Sequence, residues 1–110
     1  MNPADSPFDI QQLRSNATAA GQLLKALGNP DRLLLLCQLS QGELNVSELE
    51  NLLGIQQPTL SQQLAVLRRE GLVATRREGK QIYYRICSPA ALAVINTLYQ
   101  QFCAGAADDY

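Results

Sequence analysis

Apolar positions along this chain recur with two different periods. From Ile10 the apolar or small residues fall at Ile10, Leu13, Ala17, Ala20, Leu24 and Leu27. The alternating steps of three and four predict a helix over 10–27 with a heptad-like seam. Gly28-Asn29-Pro30 ends it, because Asn suits an N-cap and Pro the first helical position. A second helix is predicted from Pro30 to Gln41, its face including Leu33, Leu36, Cys37 and Ser40. Gly42 breaks it. Asn45 and Glu48 form a capping-box pattern for a third helix, 46–53, with Val46, Leu49, Leu52 and Leu53 turned inward. A fourth is expected from Pro58 to Gly71, burying Leu60, Leu64 and Leu67.

The period then shortens. The stretch "LVATRREGKQIYYRIC" holds two β-rich runs, 72–77 and 82–87, around Glu78-Gly79-Lys80-Gln81, which reads as a hairpin. Ser88 and Pro89 start a last helix over 89–103, with a stripe of Leu92, Ile95, Leu98, Tyr99 and Phe102. The expected fold class is mostly α (α+β): a winged helix-turn-helix of order H-H-H-H-β-β-H. Residues 1–9 read as a flexible N-terminal tail, 10–104 as one domain, and 105–110 as a flexible C-terminal tail.

Composition narrows the chemistry. The chain has 110 residues, enough for one domain, and no histidine. A hydrolytic triad and a His-rich zinc site are therefore excluded. The three cysteines, Cys37, Cys87 and Cys103, come without a signal-like N-terminus, which argues for thiols and a cytoplasmic location rather than a secreted disulfide framework. The apolar run Leu33 to Cys37 is far too short to span a bilayer.

Formal net charge is −1, but it is unevenly spread. From Gln56 to Arg85 six positive residues (Arg68, Arg69, Arg76, Arg77, Lys80, Arg85) face two negative ones (Glu70, Glu78), leaving +4. The start of the fourth helix carries Gln56, Gln57, Thr59, Ser61, Gln62 and Gln63, and no acid stands between Ile55 and Arg69. In a helix-turn-helix the second helix enters the major groove, where amides can pair with adenine and hydroxyls serve several bases. The same groups donate to phosphates. Arg68 and Arg69, two to three turns further on, are placed for phosphates or a partner acid, and Arg76, Arg77 and Lys80 on the hairpin are candidates for a second contact to backbone or minor groove. An ordinary solvated face, or a winged-helix module that docks protein rather than DNA, would carry a similar composition, since fold does not fix function.

The segments "LLKALGNPDRLLLLCQL" and "VSELENLLGIQQPTLSQQLAVLRREGLVATRREGKQIYYRI", with the final helix, resemble the ArsR/SmtB family of bacterial repressors over about residues 20–103. The resemblance implies a homodimer through the first and last helices, with Leu13, Ala17, Ala20, Leu24, Leu92, Ile95 and Tyr99 in the interface. It implies double-stranded operator DNA, an imperfect inverted repeat, as partner. Gln63 departs from the family, in which many members carry His after the Ser-Gln pair. Metal sites of the family do not carry over. Asn45 and Ser47 stand where a C-V-C pair would be, and "PAALAVINTLYQQFC" has neither carboxylate nor His, so no metal or other cofactor is expected.

The placements "L-C-x-L" at Cys37 and "Y-x-x-F-C" at Cys103 resemble the family's redox and reactive-sulfur branch, the BigR/SqrR/HlyU-like branch. That resemblance implies a disulfide or polysulfide bridge between the two thiols that releases DNA, with an oxidant or reactive sulfur as inducer. Cys87 matches no position of the branch and reads as structural. Two alternatives stay open: a metal-independent activator that displaces another DNA-binding protein, and the protein-docking module. A small thiol enzyme is disfavoured, because without histidine a thiolate would need Arg, Lys or a helix N-terminus to activate it.

Overall fold

A computed structural model describes residues 9–104. Most of both expected tails lies outside the described residues. Helix α1 spans Ile10–Leu27, α2 Pro30–Leu39, α3 Val46–Leu53, α4 Thr59–Arg69 and α5 Pro89–Tyr99, the last continuing into a π-helical turn at Gln100–Ala104. Strands β1 (Leu44–Asn45), β2 (Val73–Glu78) and β3 (Gln81–Ile86) form an antiparallel sheet in the order β1-β3-β2.

Local chemistry explains the helix starts. Asp9, expected in the tail, instead caps α1 by accepting from the Gln12 N–H at 2.9 Å. Asn29 accepts from the Arg32 N–H and Ser88 from the Ala91 N–H, as the sequence predicts. The capping box of α3 closes in both directions, Glu48 N–H to Asn45 Oδ1 and Asn45 N–H to Glu48 Oε1, each 2.9 Å. Gly54 ends α3 at φ 69°, a left-handed conformation that costs glycine little. The hairpin turn is tighter than expected: Glu78 pairs with Gln81, so only Gly79 (φ 62°) and Lys80 form it.

The core gathers around α2. Leu35, Leu36 and Leu39 are buried against Leu49, Ile55, Leu60, Leu64, Leu67, Leu72, Val73, Ala91 and Ile95. Four consecutive leucines hide the phase of α2 in the sequence. The expected inward positions Leu33, Cys37 and Ser40 lie on a half-buried flank, and the helix stops at Leu39 rather than Gln41. Leu52, expected inward, is 59% exposed. The last helix loses α-geometry after Tyr99, four residues before its expected end.

Strand β1 was not foreseen. Two residues are too few to show alternation, and only pairing with Tyr83 and Tyr84 of β3 makes them a strand. This strand supports the wing and brings the preceding residue, Glu43, beside it.

Candidate nucleic-acid interface and thiol cleft

On α4, Leu60, Leu64 and Leu67 point into the core, which turns Ser61, Gln62, Ala65, Arg68 and Arg69 outward. Gln56 and Gln57 are exposed in the preceding turn, and Thr59 is half-buried on the flank. The side chains of Gln56 and Gln62 make no hydrogen bond among the described residues, so both ends of each amide remain available. Two other amides are already engaged. Gln57 Oε1 accepts from the Ser61 N–H at 3.1 Å, serving as the side-chain cap that Pro58 cannot supply. Gln63, half-buried, accepts from Arg32 Nη1 at 2.8 Å. A paired contact to adenine needs a donor and an acceptor together. Gln57 and Gln63 each already use one of the two acceptor sites on their amide oxygen, whereas Gln56 and Gln62 use neither among the described residues.

The wing is also less basic than its composition. Arg76 Nε lies 2.7 Å from Glu43 Oε1, its Nη1 lies 2.6 Å from Glu78 Oε2, and its guanidinium stacks 4.5 Å from the Tyr83 ring centre. The hydrogen bonds Arg76 donates to Glu78 first and Glu43 second hold it charged beyond its usual range. The DNA contact expected of Arg76 would have to displace these acids, whereas Lys80 is exposed at the tip. Arg77 Nε donates to the Gly79 carbonyl at 3.0 Å, which lays it along the turn. On α4, Arg69 approaches Glu70 only to 3.8 Å, and Arg68 makes no ion pair among the described residues.

Between α4 and the wing lies a cleft of about 480 Å³ lined by Ser61, Ala65, Arg68, Arg69 and Tyr84. Tyr84 is a residue the sequence reading missed. Its signal is the alternation along β3, where Tyr83 and Arg85 fall on one face and Tyr84 on the other.

The thiols take a different part of the molecule. Cys37 on α2 and Cys103 in the π-helical turn, far apart in sequence, line one open apolar cleft of about 340 Å³ with Leu33, Leu98, Tyr99 and Phe102. Cys103 is exposed and Cys37 half-buried. Burial, and secondarily the nearby Cys103, push the Cys37 thiol above its ordinary pKa. Cys87 stands elsewhere, exposed, with its thiol 3.4 Å from the Gly71 carbonyl. No group of three or more potential metal ligands occurs among the described residues.

A third feature is apolar. Ile10, Leu13 and Leu24 of α1, Leu92 and Tyr99 of α5, and Phe102 beyond it are all exposed, along with Ala17 and Ala20. Ile95, expected with them, is 1% exposed and belongs to the core, because α5 turns it towards α2.

The profile of the bacterial regulatory protein, arsR family, matches residues 29–75, which run from the α2 cap into β2. The biofilm growth-associated repressor of Agrobacterium fabrum is 50% identical over 107 residues, 93% of this chain and 92% of that protein. The chain belongs to the ArsR family of bacterial regulatory proteins. The transcriptional activator HlyU of Vibrio cholerae is 42% identical over 89% of this chain and 91% of that protein. The crystal structure of the transcriptional repressor BigR from Xylella fastidiosa superimposes with a TM-score of 0.80 at 48% identity, covering 87% of this chain and 98% of that one. The winged helix-turn-helix of this ArsR-family chain is thus shared with solved regulators. Its relatives are regulators of transcription, and none of its described helices is long and apolar enough to cross a membrane.

Proposed function

We propose that this ArsR-family chain is a cytoplasmic, homodimeric, DNA-binding repressor released from its operator when Cys37 and Cys103 become linked. One observation carries the reading: the two thiols share a single cleft while the third cysteine lies outside it. The exposed apolar residues of α1 and α5 support a second copy as the partner that covers them. The acid-free outer face of α4 supports an inverted-repeat duplex as its target.

The chemistry balances simply. Peroxide can oxidise the two thiols to a disulfide, taking two electrons and two protons and leaving two waters. A trisulfide bridge forms when each thiol takes the outer sulfur of a persulfide donor, which leaves as its thiol, and one cysteine persulfide then attacks the inner sulfur of the other and expels hydrogen sulfide. The exposed Cys103 meets the reagent first, and Cys37 resolves the product because it lies in the same cleft. Joining them ties α2, which packs on α4, to the turn after α5. Two reading helices must stand about 34 Å apart to enter successive major grooves, so a small tilt in each protomer spoils the fit.

Binding of a promoter duplex is followed with and without oxidant or persulfide. Wild type is expected to release DNA and to recover it with dithiothreitol. Cys37→Ser and Cys103→Ser bind but ignore the oxidant, and Cys87→Ser behaves as wild type. A cross-linked peptide containing Cys87, or a normal response from Cys37→Ser, overturns the assignment. The Vibrio cholerae relative is named a transcriptional activator, which favours activation as a second reading; displacement of another DNA-binding protein is the route proposed for it. A promoter reporter separates the two: deletion of a repressor raises transcription, and deletion of such an activator lowers it.

A further inference from the structure

Arg32 makes contacts that the DNA-reading surface and the thiol cleft do not account for. It stands in the first turn of α2, half-buried. Its Nε donates to the Ala26 carbonyl at 2.5 Å and its Nη2 to the Lys25 carbonyl at 3.3 Å, both in the last turn of α1. Its Nη1 donates to Gln63 Oε1 on α4. One guanidinium carried by α2 therefore contacts both α1 and α4. A cation suits the α1 end, where carbonyls lack helical partners and the helix dipole is negative. Arg presents only donors, so the Gln63 atom facing it must be the carbonyl oxygen.

The place of this contact matters. Beside it α1 and α4 are separated by a groove of about 350 Å³, lined by Gln22, Lys25, Ala26, Arg32, Val66, Arg69 and Glu70. Among the described residues, Arg32 to Gln63 is the one side-chain hydrogen bond that joins α4 to another helix. Apolar packing of Leu60, Leu64 and Leu67 holds α4 in the core but is non-directional. The planar guanidinium fork adds direction.

We infer that Arg32 is a positioning residue that sets the angle of the reading helix relative to α1, acting through Gln63, which serves as its anchor rather than as a base reader. This rests on the DNA-reading and dimer proposals above: if α1 joins the two protomers, the tie fixes the separation of their reading helices.

The test uses the full-length protein and duplexes selected by wild type from a random pool. Wild type should enrich an inverted repeat with one dominant half-site spacing. Arg32→Ala and Gln63→Ala should enrich the same half-site bases, tolerate a wider range of spacings, and bind the best spacing about tenfold less tightly, as for the loss of one hydrogen bond to a charged group. The double variant should lose no more than either single one, since each removes the same tie. Gln63→Ala leaves the Arg32 contacts to α1 in place, so it keeps the test readable if Arg32→Ala melts early. A changed base preference with unchanged spacing for Gln63→Ala, or additive losses, overturns the inference. Failure of wild type to enrich any duplex overturns the DNA reading as well, and enrichment of isolated half-sites overturns the dimer.

Discussion

The wing permits a quantitative test of which positive charges face DNA. Lys80 is exposed at the tip, whereas Arg76 is held by Glu43 and Glu78. Each phosphate contact contributes about 0.9 to the slope of log affinity against log salt. In a two-fold dimer each substitution is made twice, so Lys80→Ala should lower the slope by about 1.8. The affinity gap between Lys80→Ala and wild type should then close about tenfold between roughly 50 and 200 mM salt. The contrasting variant is the pair Arg76→Gln with Glu43→Gln, which leaves net charge unchanged. If the clamp persists on DNA, this pair keeps the wild-type slope. Fluorescence anisotropy of a labelled operator over a salt series measures both variants directly. A slope reduced as far in the paired variant as in Lys80→Ala would refute the argument, showing that Arg76 leaves its acids for phosphate. Glu78→Gln supplies a further check: freeing part of the clamp should strengthen binding at low salt.

Ala20→Arg should give monomers with sharply reduced operator binding, because it places an unpaired charge on the exposed apolar row of α1; sedimentation of a wild-type monomer at micromolar concentration would contradict this. Alkylation of the reduced protein should mark Cys103 ahead of Cys37 near neutral pH. Since the Cys37 pKa is raised, its thiolate fraction and alkylation rate should increase only as pH passes above the ordinary thiol range; peptide mapping against pH gives both rates, and equal rates at neutral pH would count against it. Leu49→Ala should cost about 2–5 kcal/mol by leaving a cavity, and Leu52→Ala, at an exposed site on the same helix, well under half of that in denaturant unfolding.

The order of the main elements was legible in the sequence because each one depends on local physics. Asn29, Asn45 and Ser88 start helices by accepting from N–H groups three residues ahead, and Leu60, Leu64 and Leu67 announce one face of a helix by spacing alone. The missing acids around Gln62 and the absence of histidine are also properties of the chain as written. Local patterning could not reveal which surface residues meet across the fold. The two residues of β1 become a strand only through Tyr83 and Tyr84. Arg76 has the same composition whether free or clamped, and only β1 brings Glu43 to it from 33 residues away. Likewise, Arg32 and Gln63 read as a surface cation and an amide until packing brings α1 and α4 to one guanidinium carried by α2. Ile95 fits an exposed stripe by periodicity, yet α2 covers it. The shared cleft of Cys37 and Cys103 belongs to this second group. Side chains so distant in sequence meet only where tertiary packing brings their elements together, and no local energy records that meeting.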